Sequence, residues 1–281
     1  MKKSIIWKSA VILLMVGALA GCVNSECYDA AKKIVDEKNV SRSELISELK
    51  KRTFESDDID KVISRMERRG EADWNKEALD EAKEILSASD NTGYSSESLK
   101  QTLSEYGYSD SEISAAIEQM SSDGSLNWND EAVKAADTIA EKYDSLSDLK
   151  SHDVAVPLIQ NDLITEKSFT EEQADYGVSN MTHVFYGDAD EAFRNQLQDM
   201  YNKVNDDMTT MSQNYGWLEN LNPYSESYLD DSLAYLNKAD AASADAESII
   251  SQLDSMDEST MTAANAKYYE AMKSNIKALV E

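Results

Sequence analysis

Few side chains in this chain could do chemistry. It has two cysteines, Cys22 and Cys27, and two histidines, His152 and His183. A protein-held zinc takes several Cys, His or carboxylate ligands at characteristic spacings, and neither histidine has a Cys or a second His placed that way. Both read as solvated polar positions. No Gly-x-Ser-x-Gly nucleophile turn occurs, and no glycine-rich loop ends in Gly-Lys-Ser or Gly-Lys-Thr to cradle phosphate. Carboxylate pairs are frequent (Asp57-Asp58, Asp206-Asp207, Asp230-Asp231), but they suit solvated helix faces and helix N-termini, where the dipole favours negative charge. Asp188, Asp190 and Glu191 have calcium-type oxygens without the EF-hand spacing or its central glycine. The expectation is no metal, no cofactor and no enzyme activity.

The Cys22 thiol has a distinctive setting. Lys2, Lys3 and Lys8 precede the apolar stretch Ala10–Ala18, which is followed by Leu19-Ala20-Gly21-Cys22. A basic start, an apolar run too short for a bilayer and small residues ahead of a cut describe a secretory signal over residues 1-21. The four residues resemble the lipobox of bacterial lipoproteins. The resemblance implies that the Cys22 thiol carries a diacylglyceryl group and that cleavage makes Cys22 the first residue; the other reading is an ordinary signal with a chance cysteine. Two acyl chains anchor stably where one binds reversibly. No later apolar run approaches a membrane span, so the expected location is the extracytoplasmic face of a cell membrane, held by lipid. Cys27 then lacks an intramolecular partner and reads as a bystander at the edge of the first helix, with an intermolecular disulfide as the alternative.

The chain has 281 residues, only 9 Gly and 2 Pro, and a formal charge of -27 from 27 Lys+Arg against 54 Asp+Glu. Losing the three signal lysines leaves 24 cations against 54 anions, or -30. Few breakers and many helix formers predict an all-α protein. So acidic a body repels nucleic-acid phosphates, and no nucleic-acid partner is expected.

The elements that must position these residues form repeats. At an offset of 54, Leu45 meets Leu99, Leu49 meets Leu103, Phe54 meets Tyr108, Ile59 meets Ile113, Met66 meets Met120, Gly70 meets Gly124 and Trp74-Asn75 meets Trp128-Asn129. Each copy reads as three helices in a helix-turn-helix-like unit. Ser41-x-x-Glu44 and Ser109-x-x-Glu112 are capping boxes, Ser95 is a cap, and Gly70 and Gly124 are left-handed helix ends. Copy one opens with a shorter helix from Tyr28 to about Glu37. A degenerate third copy has a helix from Trp128 to about Tyr143, a middle element with Leu158, Ile159 and Leu163 interrupted by Pro157, and Phe169 before the last cap. The predicted divisions are repeat 1 over 22-73, repeat 2 over 74-127, degenerate repeat 3 over 128-189 and a C-terminal helical region over 190-281. In the last, Leu197, Met200, Tyr201, Val204 and Met208 form one stripe, Gly216 and Asn222-Pro223 mark a break, and three further helices carry Leu229/Leu233/Leu236, Ile249/Ile250/Leu253 and Tyr268/Met272/Ile276. Asp240–Ala246 reads as a turn or helix start. A small bundle accommodates such stripes. Trp74 and Trp128 read as packing between successive units, worth about 3–5 kcal/mol each on truncation. Tyr94 and Tyr106 flank the turns and are the candidate partner contacts.

These features resemble the Ltp-type host cell surface-exposed lipoprotein family over about residues 27–193. The matching features are Ala-Lys in the first helix (Ala31-Lys32-Lys33, Glu81-Ala82-Lys83), Ser-x-x-x-Leu in the second, an aromatic before the third (Phe54, Tyr108, Phe169), and the joining Asp-Trp-Asn or Asn-Trp-Asn. The resemblance implies superinfection exclusion in its phage-encoded form, in which a surface lipoprotein blocks DNA injection by engaging the incoming phage's tape-measure protein. The acidic charge suits steering of a basic segment. The expected function is a membrane-anchored protein-interaction module with phage exclusion as its sharpest version. The alternative is a cell-envelope spacer lipoprotein that docks an envelope protein.

Overall fold

The computed structural model describes residues 23–280. Cys22 and the signal segment lie outside the described residues. Those described form twelve α-helices and no strand, in agreement with the all-α expectation. They divide into two compact units, residues 23–136 with Asn161–Asn180, and Asp137–Gln160 with residues 181–280. The segment 128–189 is therefore shared between the two units.

In the first unit, α1 (Ser25–Glu37), α2 (Arg42–Lys51), α3 (Ser56–Arg69) and α4 (Trp74–Ser87) precede α5 (Ser96–Glu105) and α6 (Asp110–Asp123). The bounds of α2 and α3 recur 54 positions on in α5 and α6, and α7 (Trp128–Tyr143) starts 54 after α4. The α3 sequence shows why. Ile59, Val62, Ile63 and Met66 share one buried face, Asp57 and Asp58 lie in the first turn, and Arg68 and Arg69 lie in the last, where their charges oppose the helix dipole. Gly70 stops the helix in the left-handed region at φ 67°, with the Glu71 amide donating to the Met66 carbonyl; Gly124 does the same for α6 at φ 74°. Copy one closes a core of Ala31, Leu45, Leu49, Ile59, Ile63 and Met66, and copy two one of Ala78, Ala82, Leu99, Leu103, Ile113 and Met120.

The expected caps form, with one revision. Ser109 and Glu112 make a reciprocal capping box, and so do Ser95 and Ser98. Ser41 accepts from the Glu44 amide, but the Glu44 carboxylate turns outward to Lys38 Nζ at 2.5 Å instead of closing the box. Helix α1 starts three residues earlier than its apolar pattern suggests, because the Asn24 side chain accepts from the amides of Glu26 and Cys27 at 3.1 and 3.2 Å. Cys27 therefore sits inside the helix and fully buried, not at its edge. Burial pushes its thiol pKa up, with Asp58 adding to the effect, and a buried neutral thiol is a poor partner for disulfide exchange.

Each copy reverses direction ahead of its aromatic. The amides of Phe54, Tyr108 and Phe169 donate to the carbonyls of Leu49, Leu103 and Leu163, and the residue before each is left-handed: Thr53 at φ 65°, Gly107 at 86°, Ser168 at 59°. Only copy two has glycine there. A β-branched residue in this region is strained by about 1–2 kcal/mol, of which glycine's extra unfolded-chain entropy cancels about half. Thr53→Gly should therefore stabilise the protein by about 0.5–1 kcal/mol in urea denaturation. Tyr108 and Phe169 are buried, while Phe54 is half-buried against the first core.

Trp74 and Trp128 pack on the cores of copies one and two, so each opens one unit while covering the previous one. Both are only half-buried, and Trp74 Nε1 donates to Glu67 at 2.9 Å. The expected cost of Trp74→Ala accordingly falls to about 2 kcal/mol, below the range for a fully buried ring.

Helix α8 (His152–Thr165) runs through Pro157, contrary to the predicted interruption. In the helix's second turn, proline forfeits one backbone bond to the carbonyl four residues back, and buried Ala155, Ile159 and Leu163 hold the helix despite the loss. Leu158, expected inside, is 39% exposed. Helix α9 (Glu171–Asn180) begins with Thr170 and Gln173 exchanging capping bonds at 3.1 and 3.2 Å.

The C-terminal region has three helices where four were predicted: α10 (Glu191–Glu219), α11 (Tyr228–Asp254) and α12 (Ala263–Lys277). Gly216 lies inside α10, and the chain turns at 220–227. Asp240–Ala246 is helical within α11 rather than a turn, since alanine is the best helix former and Ala239, Ala242 and Ala246 are buried as the two long helices pack together. Among the described residues, no helix is long and apolar enough to cross a membrane.

Candidate interaction surface

Two constellations in the second unit and one repeated carboxylate in the first compete for a functional role. The carboxylate is the glutamate that follows each joining tryptophan. Glu131 is buried and accepts from the Tyr94 amide at 3.1 Å, from Asn91 Nδ2 at 3.1 Å and from Lys134 at 2.6 Å. Glu77, 54 positions before Glu131, is buried as well. Burial pushes the Glu77 pKa up against the pull of the neighbouring Lys76 charge. Glu131 thus holds the residue just before the Ser95 cap of α5, a structural duty. The offset of 54 also pairs Glu77 with Glu131, and nothing in the sequence signals that either is buried.

The second constellation gathers Asp144, His183 and Lys267. The Asp144 side chain is 2% exposed and accepts from Lys267 Nζ at 2.6 Å, from His183 Nε2 at 2.9 Å and from the Tyr186 amide at 2.9 Å. Lys267 also donates to the Val184 carbonyl at 2.6 Å and lies 4.7 Å from the centre of the Tyr186 ring. Asp137 accepts from the amides of Thr182 and His183 at 2.7 and 2.8 Å. His183 is therefore not the solvated residue expected from the sequence; its side chain is 12% exposed and stands edge-on to Phe185 at 4.8 Å. His152 fits that expectation better, with its side chain 46% exposed. Burial raises the Asp144 pKa, but the bonds from Lys267, Tyr186 and His183 and the charge of Lys267 outweigh it and hold the carboxyl below its ordinary value. Both carboxylate oxygens are taken by fixed donors. A general base must reach a substrate proton, and this aspartate is turned to its own chain. The cluster clamps segment 181–186 to α12.

The calcium candidates are similarly engaged. Asp188 accepts from the His152 amide at 3.0 Å, and Asp190 exchanges bonds with Asn265 at 2.8 and 2.7 Å. Among the described residues, no group of three or more His, Cys, Asp or Glu is arranged to hold a metal.

The third constellation is apolar and exposed. Helices α10 and α11 form a hairpin, and α12 packs with residues near its base: Leu197, Val204 and Met208 on α10, Ala246, Ile249 and Leu253 on α11. Past Met208 on α10 and before Ala246 on α11, no hairpin residue belongs to the core that α12 closes. Six of the eleven large apolar side chains exposed among the described residues fall there, between Tyr215 and Leu236, so exposure is concentrated at this tip. Tyr224 in the turn is 93% exposed, Leu229 78% and Leu233 59%. Leu229, Leu233 and Leu236 stand at helical i, i+4 and i+7 on one face, and Trp217 packs on Tyr235 with ring centres 5.5 Å apart. Contiguous exposed apolar surface of this kind marks contact sites in soluble proteins.

Of the contacts expected from sequence, Tyr106 is about half exposed, whereas Tyr94 is half-buried against the copy-two core. The Ser41 hydroxyl donates to the Tyr106 carbonyl at 2.7 Å, so this turn is tied to the start of α2. Sequence reasoning took Leu229, Leu233 and Leu236 for a core stripe, because a leucine face looks the same whether covered or bare. The usable signal was the aromatic cluster around Asn222-Pro223. Compared with known proteins, the chain matches no family model, no curated protein and no solved structure.

Proposed function

We propose that the chain is an extracytoplasmic lipoprotein, anchored through Cys22, that acts by binding another protein through the tip of the α10–α11 hairpin. The bare leucine and aromatic surface at that tip carries the reading, because the polar clusters elsewhere are consumed by structural bonds. The lipobox-like Leu19-Ala20-Gly21-Cys22 supports the anchor. Resemblance to the Ltp-type family supplies the sharpest version, blocking DNA entry by an incoming phage.

A photo-crosslinking residue at Leu229 in intact cells tests the reading, with exposed Glu172 as control. A discrete higher-mass adduct from position 229 only is expected, together with labelled palmitate in the wild type and none in Cys22→Ser. Identical patterns from both positions, or none, would remove the tip as a contact site. In a phage-sensitive host, normal adsorption with blocked DNA entry supports exclusion, and unaffected infection counts against it.

A further inference from the structure

We infer that the hairpin tip seats a basic amphipathic helix of another protein, an assignment that rests on the interaction reading above. Two observations on the tip select this occupant. The first is its shape. Near its base the hairpin already takes a third helix, α12, which presents Tyr268, Tyr269, Met272 and Ile276 to it. Toward the tip the same two helices continue past the residues that α12 packs on, and exposed Leu229, Leu233 and Leu236 offer the i, i+4, i+7 spacing of helix-to-helix docking. A strand would gain no backbone partner here, since every exposed edge belongs to a helix whose amides are spent internally.

The second is charge. Residues 215–240 hold Glu219, Glu226, Asp230, Asp231 and Asp240 against a single cation, Lys238. A second copy would set these carboxylates against their own kind, within a Debye length of about 8 Å at physiological salt. Anionic lipid headgroups meet the same repulsion. Lysine or arginine flanking an apolar helix face meets the rim with complementary charge and covers the leucines, which speeds encounter and selects the partner. Asn214, buried between the helices with its Oδ1 lacking a hydrogen-bond donor, marks the start of the uncovered half as imperfectly packed.

The test uses the mature chain with Cys22→Ser, so that no lipid obscures binding. The probe is a synthetic 18-residue helix with leucine on one face and lysine on the other; its control replaces every lysine with glutamate. Trp217 fluorescence reports binding. Micromolar binding of the lysine peptide is expected, with the glutamate peptide at least about tenfold weaker. A Tyr224→Ser, Leu229→Ser, Leu233→Ser variant keeps every charge, and its exposed sites leave the fold intact by circular dichroism. It should weaken the lysine peptide by about tenfold as well. Equal binding of both peptides, or lysine-peptide binding that survives the triple change, overturns the assignment. So does a dimer in sedimentation that the triple change dissolves, or tip-dependent binding to phosphatidylcholine vesicles with one-fifth phosphatidylglycerol. If crosslinking at Leu229 succeeds while the lysine peptide fails, the interaction reading stands and the basic-helix class falls.

Discussion

Asp144→Ala should cost the protein about 2–4 kcal/mol at pH 7, measured by urea denaturation. Removing one partner of a buried ion pair usually costs about 3–5 kcal/mol, because the remaining charge stays desolvated. Here Lys267 is 31% exposed at its side chain and can rehydrate, which lowers the figure. The Tyr186 amide and His183 Nε2 lose their acceptor as well. Asp144→Asn keeps the size and one acceptor oxygen, so it should cost less, about 1–2 kcal/mol. The pH dependence has a definite sign. The folded carboxyl is held below the unfolded value of about 3.9, so as pH falls the unfolded state takes up the proton first. The stabilisation is complete well above pH 4 and is lost as pH falls through the folded pKa. The gap between wild type and Asp144→Asn should therefore shrink from pH 7 toward pH 3. Comparing the two proteins cancels the relief of general repulsion that acidification brings to a chain of charge -27. A gap that stays constant with pH would show that the cluster is not ionised as described.

Tyr269→Ala should cost about 3–5 kcal/mol, enough to consume a large part of the 5–15 kcal/mol that stabilises a typical domain. Tyr269 is fully buried and is the largest such side chain described. It packs in the core shared by α10, α11 and α12, and its hydroxyl donates to the Leu253 carbonyl at 2.7 Å. Tyr269→Phe separates the two contributions. It keeps the ring and loses one hydrogen bond, and since Leu253 O also receives the Met256 amide, the expected loss is about 0.5–1.5 kcal/mol. Because Tyr269 lies on α12, which packs with the base of the hairpin and not with its tip, Tyr269→Phe should leave peptide binding at Leu229 unchanged.

Local signals were legible where a residue's own chemistry dictates its conformation. Gly70 and Gly124 end helices because glycine alone enters the left-handed region freely, and Ser95 and Ser109 start them because a hydroxyl satisfies an orphan amide. The 54-residue recurrence reaches the helix bounds, α2 and α3 recurring as α5 and α6, since like residues at like spacing start and stop helices alike. Elements failed where two local rules compete. Pro157 and Gly216 read as breaks yet sit inside helices, because packing on neighbours outweighs a bond or some entropy lost. The alanine run at 240–246 has no large side chain to announce a core, and its burial depends on the close approach of α10.

Composition, spacing and terminal pattern thus determined by themselves an acidic all-helical chain, its caps and its repeated apolar faces, because each depends on residues a few positions apart. Tertiary structure alone decided which apolar stripe is covered and which is bare, and which charges meet. Asp144, His183 and Lys267 are brought together across 123 residues of chain, and Leu229 and Leu233 stay exposed because α12 packs only near the hairpin's base. Burial is a property of what lies opposite a side chain, and that partner is set by the folding of distant segments.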